Sequence, residues 1–167
     1  STVEYGVTVA ASIAKRFLDT GRTLGLVVAG SERLMIRPEA GVVQQGRILQ
    51  ALALVEPGLS STLADSASTT AAELSKGASV VIVSPSPLTE MVAAINTLQT
   101  SGASVVPIVL EASSFVGRPA AAGSQYRIPG TATEAYVIHR GDEIQRRLDQ
   151  RLYGLDQGPN PAGMATR

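Results

Sequence analysis

Apolar positions along the chain switch repeatedly between a helical and a strand period. Val3, Val7, Ala10, Ala14, Phe17 and Leu18 fall on one stripe at helical spacing, and Ser1 followed by Glu4 matches a capping box. Gly21 then offers a residue that tolerates the left-handed cap. The stripe predicts a helix with one face packed on a sheet. Thr23 to Ala29 is almost wholly apolar, the pattern of a strand covered on both faces. Gly30-Ser31 fits a two-residue hairpin turn, and Glu32 to Arg37 is expected to return antiparallel at the sheet edge. Its charged ends, with Pro38 just beyond, discourage pairing with other molecules. In an α/β chain, a helix ahead of the first strand normally crosses over from an earlier parallel strand. On that ground, and for want of an initiator Met, the chain is expected to be an excised portion of a longer protein that lacks its first strand.

Helical spacing resumes near Val42, with Ile48, Leu49, Leu52 and Val55 on one face and Pro57-Gly58 as the stop; Gly46 weakens this helix without breaking it. Leu59 to Leu74 is rich in Ser, Thr and Ala. A helix is nonetheless expected, capped by Ser60 or Ser61, with Leu63, Ala67, Ala71 and Leu74 recurring at helical intervals. Ser79 to Ser84 is the clearest buried strand. Ser86-Pro87 opens a further helix carrying Leu88, Met91, Val92, Ile95 and Leu98, which Gly102 ends. Ser104 to Leu110 is the next strand, where Pro107 removes a ladder donor and predicts a bulge or a locally exposed edge. Glu111 to Glu134 reads as a long surface loop, Ala135 to His139 as the last strand, and Asp142 as the cap of a closing helix buried through Ile144, Leu148 and Leu152. The tail, residues 154–167, has the composition of a loosely held segment. The fold class expected is therefore α/β: a three-layer sandwich with a mostly parallel sheet of about five strands and one antiparallel edge strand.

Composition narrows the chemistry. At 167 residues and 44% hydrophobic content the chain fits one domain with a real core, built of aliphatic residues because aromatics are 4% and Trp is absent. Fourteen basic and fourteen acidic residues cancel, which argues against a nucleic-acid partner. With no Cys and one His, disulfides, thiolate catalysis and cysteine or histidine-cluster zinc sites are excluded. No apolar run reaches the roughly 20 residues of a membrane span, so no membrane contact is expected of these residues. Phosphate-loop, dinucleotide and nucleophile-elbow motifs are absent.

Three stretches taken in order, S-T-V-E-Y-G-V-T-V-A-A-S-I-A at Ser1 to Ala14, G-R-T-L-G-L-V-V-A-G at Gly21 to Gly30 and Y-V-I-H-R-G-D-E at Tyr136 to Glu143, carry a likeness. The chain resembles the bacterial domain-of-unknown-function family fifty-eight, whose conserved part is similar to a von Willebrand factor A domain. The likeness covers most of residues 1–153. It implies a doubly wound, Rossmann-like sheet whose central first strand, ending in an Asp-x-Ser-x-Ser metal loop, would precede Ser1. In the family pattern a Thr or Ser comes from the loop matched by Gly58 to Leu63, with Ser61 the best match, while the Asp expected after the next strand is replaced by Pro85 following Ser84. No metal or other cofactor is therefore expected in this chain, and a divalent ion such as magnesium only in an intact parent. The strands at Thr23 and Ser79 would flank the missing strand's place with unpaired backbone groups; either they pair directly, the closure expected, or a second molecule helps.

Each candidate site also has a plain structural reading. Ser60, Ser61 and Thr62 at a helix start could hold an anion, but Ser and Thr there most often simply cap. Ser84 and Ser86 flank the equivalent edge of the next strand, where strand end and helix cap suffice as explanation. His139 has no nucleophile or metal cluster in its pattern and reads as structural, and the arginines from Arg140 to Arg151 alternate with acids as on a solvated face. The function expected is a non-enzymatic interaction module docking proteins at the carboxyl edge of the sheet. The resemblance further implies a MoxR-type AAA+ ATPase as partner and a cytoplasmic location within a membrane-anchored parent, with homo-oligomers also open. The alternative is a Rossmann-like small-molecule or phospho-ligand enzyme using Ser61 and Thr62.

Overall fold

The computed structural model describes residues 1–58, 61–85, 88–111 and 125–139. Along the chain run α1 (Thr2–Asp19), β1 (Leu24–Ala29), β2 (Arg33–Glu39), α2 (Val42–Ala53), α3 (Leu63–Glu73), β3 (Ser79–Ser84), α4 (Leu88–Thr100), β4 (Ser104–Leu110), β5 (Gln125–Arg127) and β6 (Glu134–Ile138). The chain is an α/β protein. The expected closing helix and tail lie outside the described residues.

Local signals in the sequence act where they stand. The Ser1–Glu4 capping box opens α1, and Gly21 (φ 78°) closes it in a Schellman motif, with Arg22 N donating to Phe17 O and Gly21 N to Leu18 O. Gly102 closes α4 in the same way, through Ala103 N to Leu98 O and Gly102 N to Gln99 O. The cap of α3 is Thr62 rather than Ser60 or Ser61, because Asp65 stands three residues after it and completes a second capping box.

The strands form two sheets rather than one. Among the described residues β3, β4 and β6 are parallel neighbours, β5 adds an antiparallel edge to β6, and β1 pairs only with β2 in a separate antiparallel hairpin. Direct pairing of the strands at Thr23 and Ser79 is thus corrected. The reason lies in α1, whose buried surface is wider than the expected stripe. Val9, Ile13 and Phe17 pack with Val81, Val83, Ile108, Leu110 and Ile138, whereas Ala14 and Leu18 pack with Leu24, Leu26, Ile48 and Leu52. Two adjacent flanks of one helix hold the two sheets, and the strands do not collapse onto each other.

Residues of β3 and β4 alternate between two cores. Val80, Ile82, Val105 and Val109 face α3 and α4 around Met91, Ala94 and Ile95, while Val81, Val83, Ile108 and Leu110 face α1. Pro107 makes no bulge against β3, since the register runs unbroken from Ser79↔Ser104 to Ser84↔Val109. Pairing with β6 begins only at Ile108, so the other side of β4 carries no ladder up to the proline among the described residues; Pro107 itself is fully buried, so the locally exposed edge expected there is corrected, the missing donor being covered by packing. β5 falls inside the span expected to be loop; only residues 112–124 of that loop lie outside the described set.

The hairpin differs from its expected form at both ends. Ala29 pairs with Arg33, so the turn has Gly30, Ser31 and Glu32 in it, and Pro38 belongs to β2 instead of following it. A register shift between Leu24 and Leu26 makes room. A Cβ on Gly25 would stand 2.7 Å from Ile36 O and 3.0 Å from Pro38 N, so only glycine allows the strands this close. Gln44, buried on α2, fastens the irregular stretch: its Nε2 donates to Leu24 O (2.7 Å) and Arg37 O (2.8 Å).

Candidate functional site

The register of the parallel strands brings their carboxyl ends together. Ser84 lies opposite Val109, Leu110 lies opposite Ile138, and the residues that follow, Glu111 and His139, meet beyond the last pair. Glu111 N donates to Ile138 O at 3.1 Å, and His139 Nε2 stands 2.6 Å from Glu111 Oε2. The imidazole is buried while the carboxylate is partly exposed, so this contact clasps the ends of β4 and β6 with its acidic half toward solvent. The Glu111–His139 pair went unanticipated. Its signal was available: each residue is the first polar one after an apolar strand, in V-L-E and V-I-H.

Ser61 and Thr62 lie at the start of α3 and are engaged within the chain. Thr62 Oγ1 accepts from Asp65 N (3.1 Å) and stands 2.8 Å from Asp65 Oδ2, to which Thr62 N also donates (3.3 Å). Ser61 Oγ shares a hydrogen bond of 2.9 Å with Ser66 Oγ. The Asp65 carboxylate occupies the N-terminus of α3, where an incoming anion would meet both a used donor and a like charge. Ser84 is buried at the end of β3. Ser60 and Ser86 lie outside the described residues. Among the described residues no group of His, Asp and Glu is arranged to hold a metal ion.

At the opposite, amino end of β4 and β6 lies a shallow depression of about 510 Å³, lined by Gln99, Val105, Val106, Thr133, Glu134 and Tyr136 among others. It exists because β6 joins β4 only from Ile108 onward. Gln99 Nε2 donates to Thr133 Oγ1 (2.9 Å) across its rim.

Apolar side chains are also exposed on α2. Val42 is 84% exposed, Val43 71% and Leu54 74%. None was singled out from the sequence, because helical periodicity marks a face without saying whether anything covers it. No helix among the described residues is long and apolar enough to cross a membrane.

No family model matches the chain, and neither a curated protein nor a solved structure matches it.

Proposed function

We propose that the chain is a non-enzymatic protein-interaction module, a von Willebrand factor A-like domain of three-layer, Rossmann-like architecture that docks partners at the carboxyl edge of its sheet. The observation that carries the reading is the Glu111–His139 contact past the last pair of β4 and β6, at the same carboxyl edge where Ser84 ends β3. Such an edge offers fixed hydrogen-bonding groups for recognition. The family resemblance supports the same reading and names the partner class, a MoxR-type AAA+ ATPase, within a larger bacterial protein anchored to the membrane by other segments.

The test is binding of a MoxR-type ATPase to the chain and to its Ser61→Arg and Glu111→Lys variants. Docking at this edge predicts at least a tenfold weaker complex for each variant, equivalent to about 1.4 kcal/mol. Undiminished binding by both, in variants that keep their melting temperature, overturns the site. The phospho-ligand enzyme reading is disfavoured by Asp65 at the α3 cap. An upward thermal shift with nucleotides or phosphosugars would restore it.

A further inference from the structure

We infer that α2 packs against α2 of a second copy of this chain, antiparallel about a two-fold axis. Among the described residues the large apolar side chains left exposed are Leu34, Val42, Val43, Leu49 and Leu54, and four of these five belong to α2 or its C-cap. Gln44, Ile48 and Leu52 turn inward, so the exposed set lies on the other side of the helix. Along that side Val42, Gly46, Leu49 and Ala53 recur in steps of four, three and four residues, the spacing of a helix-packing seam.

Gly46 is the residue that the chain's own fold does not account for. Inside a helix glycine is less favourable than alanine, and a Cβ added at Gly46 would meet nothing within 4 Å, so no described contact within the chain requires its absence. A second helix does require it. Small residues at a contact let two helix axes approach to about 8 Å, the short end of the usual range.

The order of sizes selects the occupant. Along the seam large and small residues alternate, Val-Gly-Leu-Ala, so in an antiparallel pair centred between Gly46 and Leu49 every large residue meets a small one: Val42 meets the partner's Ala53, and Leu49 meets the partner's Gly46. A parallel pair would set Leu49 on Leu49 and Gly46 on Gly46. Val43 and Leu54 lie along one flank of the seam near opposite ends of the helix, and the same two-fold sets Val43 beside the partner's Leu54. Charge agrees. Arg47, the one charged residue of α2, is paired with Glu39 at 3.1 Å, so a copy meets no bare charge and a partner chosen by charge finds nothing to answer it. With 12 residues α2 is about 18 Å long, so the pair buries less than the ~800 Å² per partner of a standard interface and the dimer is reversible. This inference does not depend on docking at the carboxyl edge, which involves other elements.

Sedimentation velocity of the full chain between about 10 μM and about 1 mM is expected to show a monomer converting to a dimer. Gly46→Gln restores helix propensity while placing bulk in the seam, and should weaken that association at least ~10-fold without lowering the melting temperature in dilute solution. The chain has no Cys, so added cysteines report the register. Val42→Cys mixed with Ala53→Cys should form disulfide-linked dimers at least ~10-fold faster than either variant alone, because the two-fold brings these two positions together and keeps each far from its own copy. A monomer throughout the range, undiminished association of Gly46→Gln, or equal cross-linking by the single variants would overturn the inference. So would a lowered dilute-solution melting temperature for Val42→Glu, which would mean that the face is covered within the chain.

Discussion

β1 and β4 are both apolar strands, and the protein treats them differently. In β4, S-V-V-P-I-V-L, four residues are buried and the strand is laddered to β3 along its length and to β6 at its end; in β1 none is fully buried and, among the described residues, one edge has no ladder. The flanking helices repeat the contrast, since Met91, Ala94 and Ile95 of α4 are fully buried whereas Val42 and Val43 of α2 stand in solvent. Hydrophobicity alone does not bury a strand. Neighbours on both edges, drawn from distant parts of the chain, do so.

The sharpest way to probe the contrast is truncation in each region. Ile95→Ala, at a site with 0% exposure, is expected to cost about 2–5 kcal/mol, and Val28→Ala in β1 about 1 kcal/mol. Urea midpoints measure both, and equal losses would mean that β1 is as well covered as α4. Next in size is Gly25→Ala, where the added methyl meets backbone rather than a movable side chain; about 1–3 kcal/mol is expected, with faster amide exchange in β1 and β2 and none in β3 or β4. Gln44→Ala leaves the Leu24 and Arg37 carbonyls without their shared donor and is expected to cost about 1–2 kcal/mol, again read in the hairpin.

The smallest effect concerns pH at the start of α1. A hydrogen bond from the Ser1 ammonium, and then its charge, hold the Glu4 carboxyl below its usual range. A depressed carboxylate stabilises the fold above its unfolded value and loses that contribution as pH falls through the lowered folded value. Glu4→Gln should therefore flatten a slight acid-side slope in melting temperature. An unchanged slope would remove Glu4 from the helix-start account.

Local structure was the more legible part of this chain. Ser1 with Glu4, Gly21 and Gly102 announce helix ends through groups at fixed offsets, and the apolar runs at Thr23, Ser79 and Ser104 announce strands. What depended on distant partners was not legible. Thr62 outcompeted Ser60 and Ser61 as cap because of Asp65, a contact still within reach of inspection. The bulge at Gly25 needed knowledge that Pro38 would lie inside β2, and the buried role of Gln44 follows from carbonyls that only that bulge leaves to be filled. The direct pairing expected between β1 and β3 failed for the same kind of reason: collapse looks favourable until the breadth of α1 holds the sheets apart. At the carboxyl edge, Glu111 and His139 lie far apart in sequence and meet only through the β4–β6 register.

Native-state amide exchange on the chain alone tests the two-sheet arrangement most directly. Strand amides point alternately to either side, so β1 and β3, laddered on one side, should protect every second amide and release the others quickly, while Ile108 to Leu110 of β4, paired on both sides, should be protected throughout. Uniform protection along both β1 and β3 would mean that the two strands pair with each other, and would contradict the account.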